Sequence, residues 1–325
     1  MAGIKPPMRL ALLFPGQGSQ AVGMGVELSA AFAESRAVFE EVDDALGQKL
    51  FALMRDGPLE DLTLTENAQP ALMAVSLAAM GALHGQFGVA VEKAAFVAGH
   101  SLGEYSALAA SGALGLADTA RLLKLRGQAM QRAVPVGAGA MASLIGPKSD
   151  VALAEAAAEA GAKDGPVGSV CVVANDNNAG NVVISGTKAA VDLAIEKAKE
   201  LGARAILLNV SAPFHCPLMQ PAADEMAQAL GHTDLTAPHA PLVANVTARP
   251  TLDPQLIRRL LVDQVTGRVR WRESMEWLAG DGRVDRFAEV GTGKVLTGIA
   301  RRIAPEAEAV ALNSPADLEA FAKAL

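Results

Sequence analysis

The sequence predicts an α/β fold, a mostly parallel sheet covered by helices, with a smaller β-α-β-β-α-β unit inserted into it. Three observations carry this. Short apolar runs alternate with helix-length amphipathic stretches from the N-terminus onward. Two of those runs end in glycine-containing loops that open helices, Gly16-Gln17-Gly18-Ser19 and Gly99-His100-Ser101-Leu102-Gly103. Between Val136 and Val210 the pattern turns to paired strands around an Asn/Asp/Gly segment. Of the 325 residues 51% are hydrophobic and 19% charged, so burial can offset chain entropy and global disorder is excluded.

The first strand is Arg9–Phe14, a buried apolar run stopped by Pro15-Gly16. Helical patterns follow at 30–46 and 70–86, and Ala94–Ala98 reads as a second buried strand that feeds the loop at 99–103 and a helix over 104–110. A helix over 118–133 carries Arg126 and is closed by Pro135. The insert then reads as strand 140–145, helix 151–160, strands 169–174 and 181–185 about the turn Asn175–Gly180, helix 188–201 and strand 204–210. That order is ferredoxin-like. Mixed patterning resumes with helix 217–230, strand 242–245, helices 254–266 and 271–279, strand 286–290 and a final helix from Lys294. Residues 1–135 and 211–325 are therefore expected to form the large domain, and 136–210 the small one.

Composition narrows the function. A single tyrosine, Tyr105, 4% aromatic residues and a net charge of −7 argue against a nucleic-acid partner. Cys171 and Cys216 are too few for a disulfide framework and read as free thiols. No H-E-x-x-H or clustered ligand pattern calls for a metal, and Gly291-Thr292-Gly293-Lys294 lacks phosphate-loop spacing. Met1–Pro7 has no signal-peptide character, and the greasy stretch 68–87 is broken by Gln69, Pro70, His84 and Gly85, so a cytoplasmic protein without a membrane role is expected.

The segment 99–103 fits G-x-S-x-G, in which small flanking residues let a sharp strand-to-helix turn raise a serine hydroxyl above a sheet. Ser101 is the candidate nucleophile. The same turn leaves the Leu102 N–H at a helix N-terminus, where it can stabilise an oxyanion. A serine needs a base. His84, His232 and His239 lie in helical or polar surroundings, and His100 reads as elbow packing. His215, in a proline-marked loop after a strand, is the preferred base. Arg126, among Leu122, Leu123, Leu125, Ala129 and Met130, either snorkels to water or sets its planar fork against a carboxylate. Gln264 taken alone reads as an exposed helix residue.

Taken in order, Phe14–Gln20, Gly99–Tyr105, Arg126-Gly127 with Met130-Gln131, Pro213-Phe214-His215, Gln264 and Glu289–Gly293 resemble the malonyl-CoA:acyl carrier protein transacylase family of type II fatty acid synthesis. The match spans nearly the whole chain. The resemblance implies an α/β-hydrolase-like large domain, an acylated Ser101 with His215 as base, and an oxyanion hole of the Gln17 and Leu102 N–H groups. It also implies that a backbone carbonyl near Gln264, not a carboxylate, orients His215, and that Phe214 is the aromatic residue of a malonyl-selecting site. Gln17, Met130 and Asn175 are further pocket candidates.

On this reading Arg126 receives the malonyl carboxylate. Malonyl-CoA is the substrate, holo acyl carrier protein with its phosphopantetheine thiol is the partner, no cofactor is bound, and the protein acts as a monomer. Acyl carrier proteins are acidic, so a chain of charge −7 needs a local basic surface. Arg204 is the first docking candidate, with Lys188 and Lys199 in the same insert.

Overall fold

A computed structural model describes residues 8–325; the expectation for Met1–Pro7 lies outside the described residues. Its strands are β1 Leu10–Phe14, β2 Ala94–Gly99, β3 Gly139–Ile145, β4 Cys171–Asn178, β5 Asn181–Thr187, β6 Arg204–Leu207, β7 Leu242–Ala244, β8 Arg249–Thr251, β9 Arg286–Val290 and β10 Glu308–Leu312.

The larger sheet has the order β10-β9-β1-β2-β7-β8 and is parallel except for the β7–β8 pair. Alternation along β1 splits the core between its faces. Leu10, Leu12 and Phe14 join the helices Thr65–Phe87 and Leu116–Ala133 on one face, and Ala11 and Leu13 join Trp271, Met275 and Phe287 on the other. Helix Thr65–Phe87 is buried almost all round, which explains why its sequence is apolar without a polar stripe. β1 has β2 on one side and β9 on the other, so strand order reverses between β1 and β9, and the loops after β1, β2 and β9 line a cavity beyond the carboxyl ends of these strands. Both glycine-containing loops lie at those ends.

The smaller sheet is antiparallel with the order β4-β5-β3-β6. Helices Val151–Asp164 and Lys188–Glu200 cover one face, and Gly161 lets them touch, since a Cβ there would lie 2.2 Å from the Ala190 carbonyl oxygen. The opposite face presents Met141, Ala174 and Val183 toward Leu208, Val210 and Phe214. It is joined to the rest of the chain by Asp176 N–H to Val269 O at 2.9 Å, Val269 N–H to Ala174 O at 2.8 Å, and an Arg272–Asp176 ion pair at 2.9 Å.

Three sequence expectations are corrected and two strands were missed. Asn175–Asn178 belongs to β4, and the reversal is only Ala179-Gly180, with Gly180 at φ 93°; two register shifts in the β4–β5 ladder accommodate the polar run. β6 stops at Leu207 and residues 208–210 are irregular. The expected final helix is Val295–Ile303, followed by β10 and a helix Pro315–Lys323. β10, Glu-Ala-Val-Ala-Leu, and β8, Arg-Pro-Thr, were hidden by alanine and proline; both sit at sheet edges, where such residues are tolerated. Among the described residues no helix is long and apolar enough to cross a membrane.

Candidate active site

Ser101 occupies the turn between β2 and helix Gly103–Ala110 at φ 54°, left-handed for a residue with a side chain. The two flanking glycines are sterically required. A Cβ on Gly99 would meet the Gly103 carbonyl carbon at 1.9 Å, and one on Gly103 would meet the Phe14 carbonyl oxygen at 2.2 Å. The turn is clamped from β7: Asn245 Oδ1 accepts the Ser101 N–H at 2.8 Å and Asn245 Nδ2 donates to Gly99 O at 2.7 Å. Gly16 presses the first loop onto the elbow, since a Cβ there would lie 2.8 Å from His100 O. Among the described residues neither the Gln17 nor the Leu102 backbone N–H has an acceptor.

His215, also at positive φ (56°), brings Nε2 to 2.8 Å from Ser101 Oγ and Nδ1 to 2.9 Å from the Gln264 carbonyl. Burial, reinforced by the nearby Arg126 charge, pushes its pKa down to about 3, so the imidazole is neutral at pH 7. A proton on Nδ1 donated to the carbonyl leaves Nε2 to accept from the serine hydroxyl.

Arg126 is only 1% exposed, which rules out snorkelling. Its NH1 donates to Gln69 Oε1 at 2.7 Å, and its NH2 to Gln264 Oε1 at 2.8 Å and Ser101 Oγ at 3.3 Å. The guanidinium lies over the Tyr105 ring, 5.7 Å from its centroid, and Nε has no partner. Gln264 is fully buried rather than exposed, because its amide bonds on both sides: Nε2 donates to Ser101 O at 2.9 Å and to Glu104 Oε2. Burial raises the Glu104 pKa to about 7 against the pull of those hydrogen bonds and of Arg126.

These groups open onto a cavity of about 290 Å³ whose walls include Gln17, Ser101, Leu102, Arg126, Met130, Met141, Asn175, Phe214 and His215. A second cavity of about 450 Å³ shares Gln17, Gly18 and His100 with it and carries Lys294 and Arg302 beside Asn177 and Asn181. His100 packs the elbow as expected, with Nε2 2.9 Å from Asn177 Oδ1 and its ring against Trp271.

The structure does not gather the three docking candidates. Arg204 is exposed on edge strand β6, opposite Ile145 and four residues before Leu208 of the cavity wall. Lys188 and Lys199 stand at opposite ends of one helix, about 16 Å apart by helical rise, and pair with Asp192 and Glu196. Sequence reasoning missed Thr65, Gln69, Glu104 and Asn245, which hold the site from behind. Only Glu104 carried a local signal, its position directly after the elbow. Among the described residues no group of three or more His, Cys, Asp or Glu is placed to hold a metal ion.

An elbow serine bonded to a neutral imidazole, two idle N–H groups and a buried cation at the same cavity define an acyl-transferring serine enzyme. The family model described as "Acyl transferase domain" matches residues 11–311. The chain is 44% identical over 313 residues to the malonyl CoA-acyl carrier protein transacylase of Salmonella typhimurium, covering 96% of this chain and 98% of that one. It is 41% identical over 312 residues to the protein of that name from Bacillus subtilis, with 96% and 95% covered. The acyl-carrier-protein-S-malonyltransferase structure from Bartonella henselae superposes with a TM-score of 0.93 at 53% identity over 98% of this chain and 99% of that one. A type II PKS acyl-carrier protein in complex with its malonyl-transacylase gives 0.91 at 40% identity, over 98% and 100%. The chain belongs to the acyl transferase family and, within it, to the malonyl CoA-acyl carrier protein transacylases.

Proposed function

We propose that Ser101 carries the malonyl group between malonyl-CoA and the phosphopantetheine thiol of acyl carrier protein, the transfer that supplies fatty acid synthesis. The observation that carries this reading is the Arg126 guanidinium, buried and 3.3 Å from Ser101 Oγ. A cation there matches an acyl chain ending in carboxylate and leaves neither charge stranded.

In the first half-reaction His215 Nε2 takes the Ser101 proton as Oγ attacks the thioester carbonyl. The oxyanion is held by the Gln17 and Leu102 N–H groups, aimed by the close approach of Gly16 to the elbow and by the helix that begins at Gly103. The C–S bond then breaks, and the CoA thiolate receives the proton from His215. In the second half the carrier thiol gives its proton to His215 and attacks the ester, and Ser101 leaves with that proton. The Gln264 carbonyl, accepting from Nδ1–H, holds the ring in one orientation throughout and fixes the tautomer whenever His215 is neutral. No cofactor enters either half.

The β-α-β-β-α-β element order and the β4-β5-β3-β6 pairing support a ferredoxin-like subdomain over 136–210, inserted in an α/β-hydrolase-like domain formed by 1–135 and 211–325. Met141 and Asn175 of the insert, with Met130 and Phe214, close the acyl pocket. The second cavity, which carries Lys294 and Arg302, suits the phosphates of CoA and of the carrier's arm. Arg204 remains the first docking candidate. Peptide mapping after a short pulse of malonyl-CoA tests the reading: an ester on Ser101, discharged by holo carrier protein, is the expected result.

A further inference from the structure

Behind Arg126 a single line of hydrogen bonds runs to the loop after β1. Arg126 NH1 donates to Gln69 Oε1 at 2.7 Å, Gln69 Nε2 donates to Thr65 Oγ1 at 2.9 Å, and the Thr65 hydroxyl donates to Gln17 Oε1 at 2.9 Å. Thr65, Gln69 and Arg126 are each 1% exposed. Gln17, at the far end, is half-buried in the cavity wall, but the Thr65 hydroxyl and the Gln69 amide are closed in, so a break between them leaves a buried polar group without its partner.

The line has one direction. Flipping the Gln69 amide would set its NH2 against the guanidinium, and its present orientation also turns Nε2 toward Met130 Sδ at 3.8 Å. Thr65 and Gln69 are one turn apart in helix Thr65–Phe87 and so share a face. Gly127 brings that face to Arg126: a Cβ on Gly127 would lie 2.5 Å from Glu66 Cα and 2.7 Å from the Thr65 carbonyl oxygen.

We propose that Thr65 is a positioning residue: its hydroxyl, set between Gln69 and Gln17, ties the arginine that receives the acyl carboxylate to the loop that receives the oxyanion. This rests on the roles given above to Arg126 and Gln17. A carboxylate that fixes the guanidinium thereby steadies the Gln17 loop at the moment the tetrahedral intermediate forms. An acyl group without a carboxylate gains nothing from the connection. Thr65 thus contributes to choosing malonyl over acetyl without touching either.

Single-turnover acylation of Ser101 by malonyl-CoA and by acetyl-CoA tests this in Thr65→Val, Thr65→Ser and Gln69→Met. Thr65→Val keeps the shape and removes the hydroxyl. It is expected to lower the saturating malonyl rate about tenfold, the worth of one hydrogen bond in a charged network, with little change in the half-saturating concentration and a smaller effect on acetyl. Thr65→Ser restores the hydroxyl and the rate. Thr65→Ala removes the same hydroxyl with a smaller side chain and carries the test if Thr65→Val does not fold; Gln69→Met cuts the same line one residue on, and the Thr65→Val, Gln69→Met double variant is no worse than the poorer single one.

Equal loss in Thr65→Val and Thr65→Ser, additive losses in the double variant, or an unchanged malonyl-to-acetyl ratio in Thr65→Val would overturn the proposal. Arg126→Ala separates the two levels. If it leaves the ratio unchanged, the role of Arg126 fails; if it shifts the ratio while folded Thr65→Val does not, only the role of Thr65 fails.

Discussion

His215 Nδ1 lies 2.9 Å from the backbone carbonyl of Gln264, the position that a carboxylate occupies in a Ser-His-Asp triad. A carbonyl fixes the tautomer without adding negative charge, and the same residue's side chain holds Arg126 and Glu104. Orientation of the imidazole and placement of the guanidinium therefore meet in one residue. His215→Ala should slow Ser101 acylation by about a hundredfold to ten-thousandfold, the range of general-base assistance. Gln264→Ala keeps the carbonyl, so acetyl transfer should fall less than in His215→Ala while malonyl transfer suffers more than acetyl. Single-turnover rates with both thioesters check this; equal loss for both acyl groups would separate Gln264 from Arg126.

On the proposed role of Arg126, Arg126→Ala removes the partner of the acyl carboxylate. With hydrogen bonds to charged groups contributing about 1.5 to 3 kcal/mol each, malonyl transfer should fall on the order of tenfold to a thousandfold or more, and acetyl transfer much less. The malonyl-to-acetyl ratio of Ser101 acylation is the readout. A parallel fall in both would make Arg126 a structural residue.

Stability should respond to pH in opposite senses at two buried groups. Unfolded His215 takes a proton below its ordinary 6.5, whereas in the folded chain it stays neutral until about 3. Its contribution is full above 6.5 and is lost as pH falls toward 3. Glu104 is raised from 4.5 to about 7, so its contribution is present below 4.5 and is lost as pH rises through 7. The urea midpoint of His215→Gln should gain on the wild type between pH 7.5 and 5, and that of Glu104→Gln should gain between pH 5 and 7.5. Flat differences would contradict these environments.

Gly103→Ala should unfold the elbow. The new Cβ would sit 2.2 Å from a backbone oxygen of β1, which cannot yield as a flexible side chain would, so a loss of about 1 to 3 kcal/mol or more is expected. Urea denaturation with an acylation assay would show both defects together. A stable, active Gly103→Ala would mean the turn is looser than described.

The sequence carried what is local. Ser101 and its glycines are a contiguous pattern, and His215 followed from a proline-marked loop after a strand. The αβ alternation was legible because buried parallel strands are nearly continuous apolar runs. β8 and β10 escaped because they are short edge strands whose composition does not mark them. Arg126 was ambiguous since its neighbours on the helix are apolar whether it snorkels or sits in the core; the deciding partners, Gln69 and Gln264, are 57 and 138 residues away in the chain. Thr65 and Asn245 had no signal at all, because what they do exists only once two distant loops meet.

The most direct test of the account is peptide mapping of the protein after a brief exposure to malonyl-CoA, followed by addition of holo acyl carrier protein. The account predicts a malonyl ester on the peptide containing Ser101, absent in Ser101→Ala, that disappears as malonyl carrier protein forms. An adduct on Cys171 or Cys216, transfer unchanged in Ser101→Ala, or release of free malonate in place of malonyl carrier protein would contradict it.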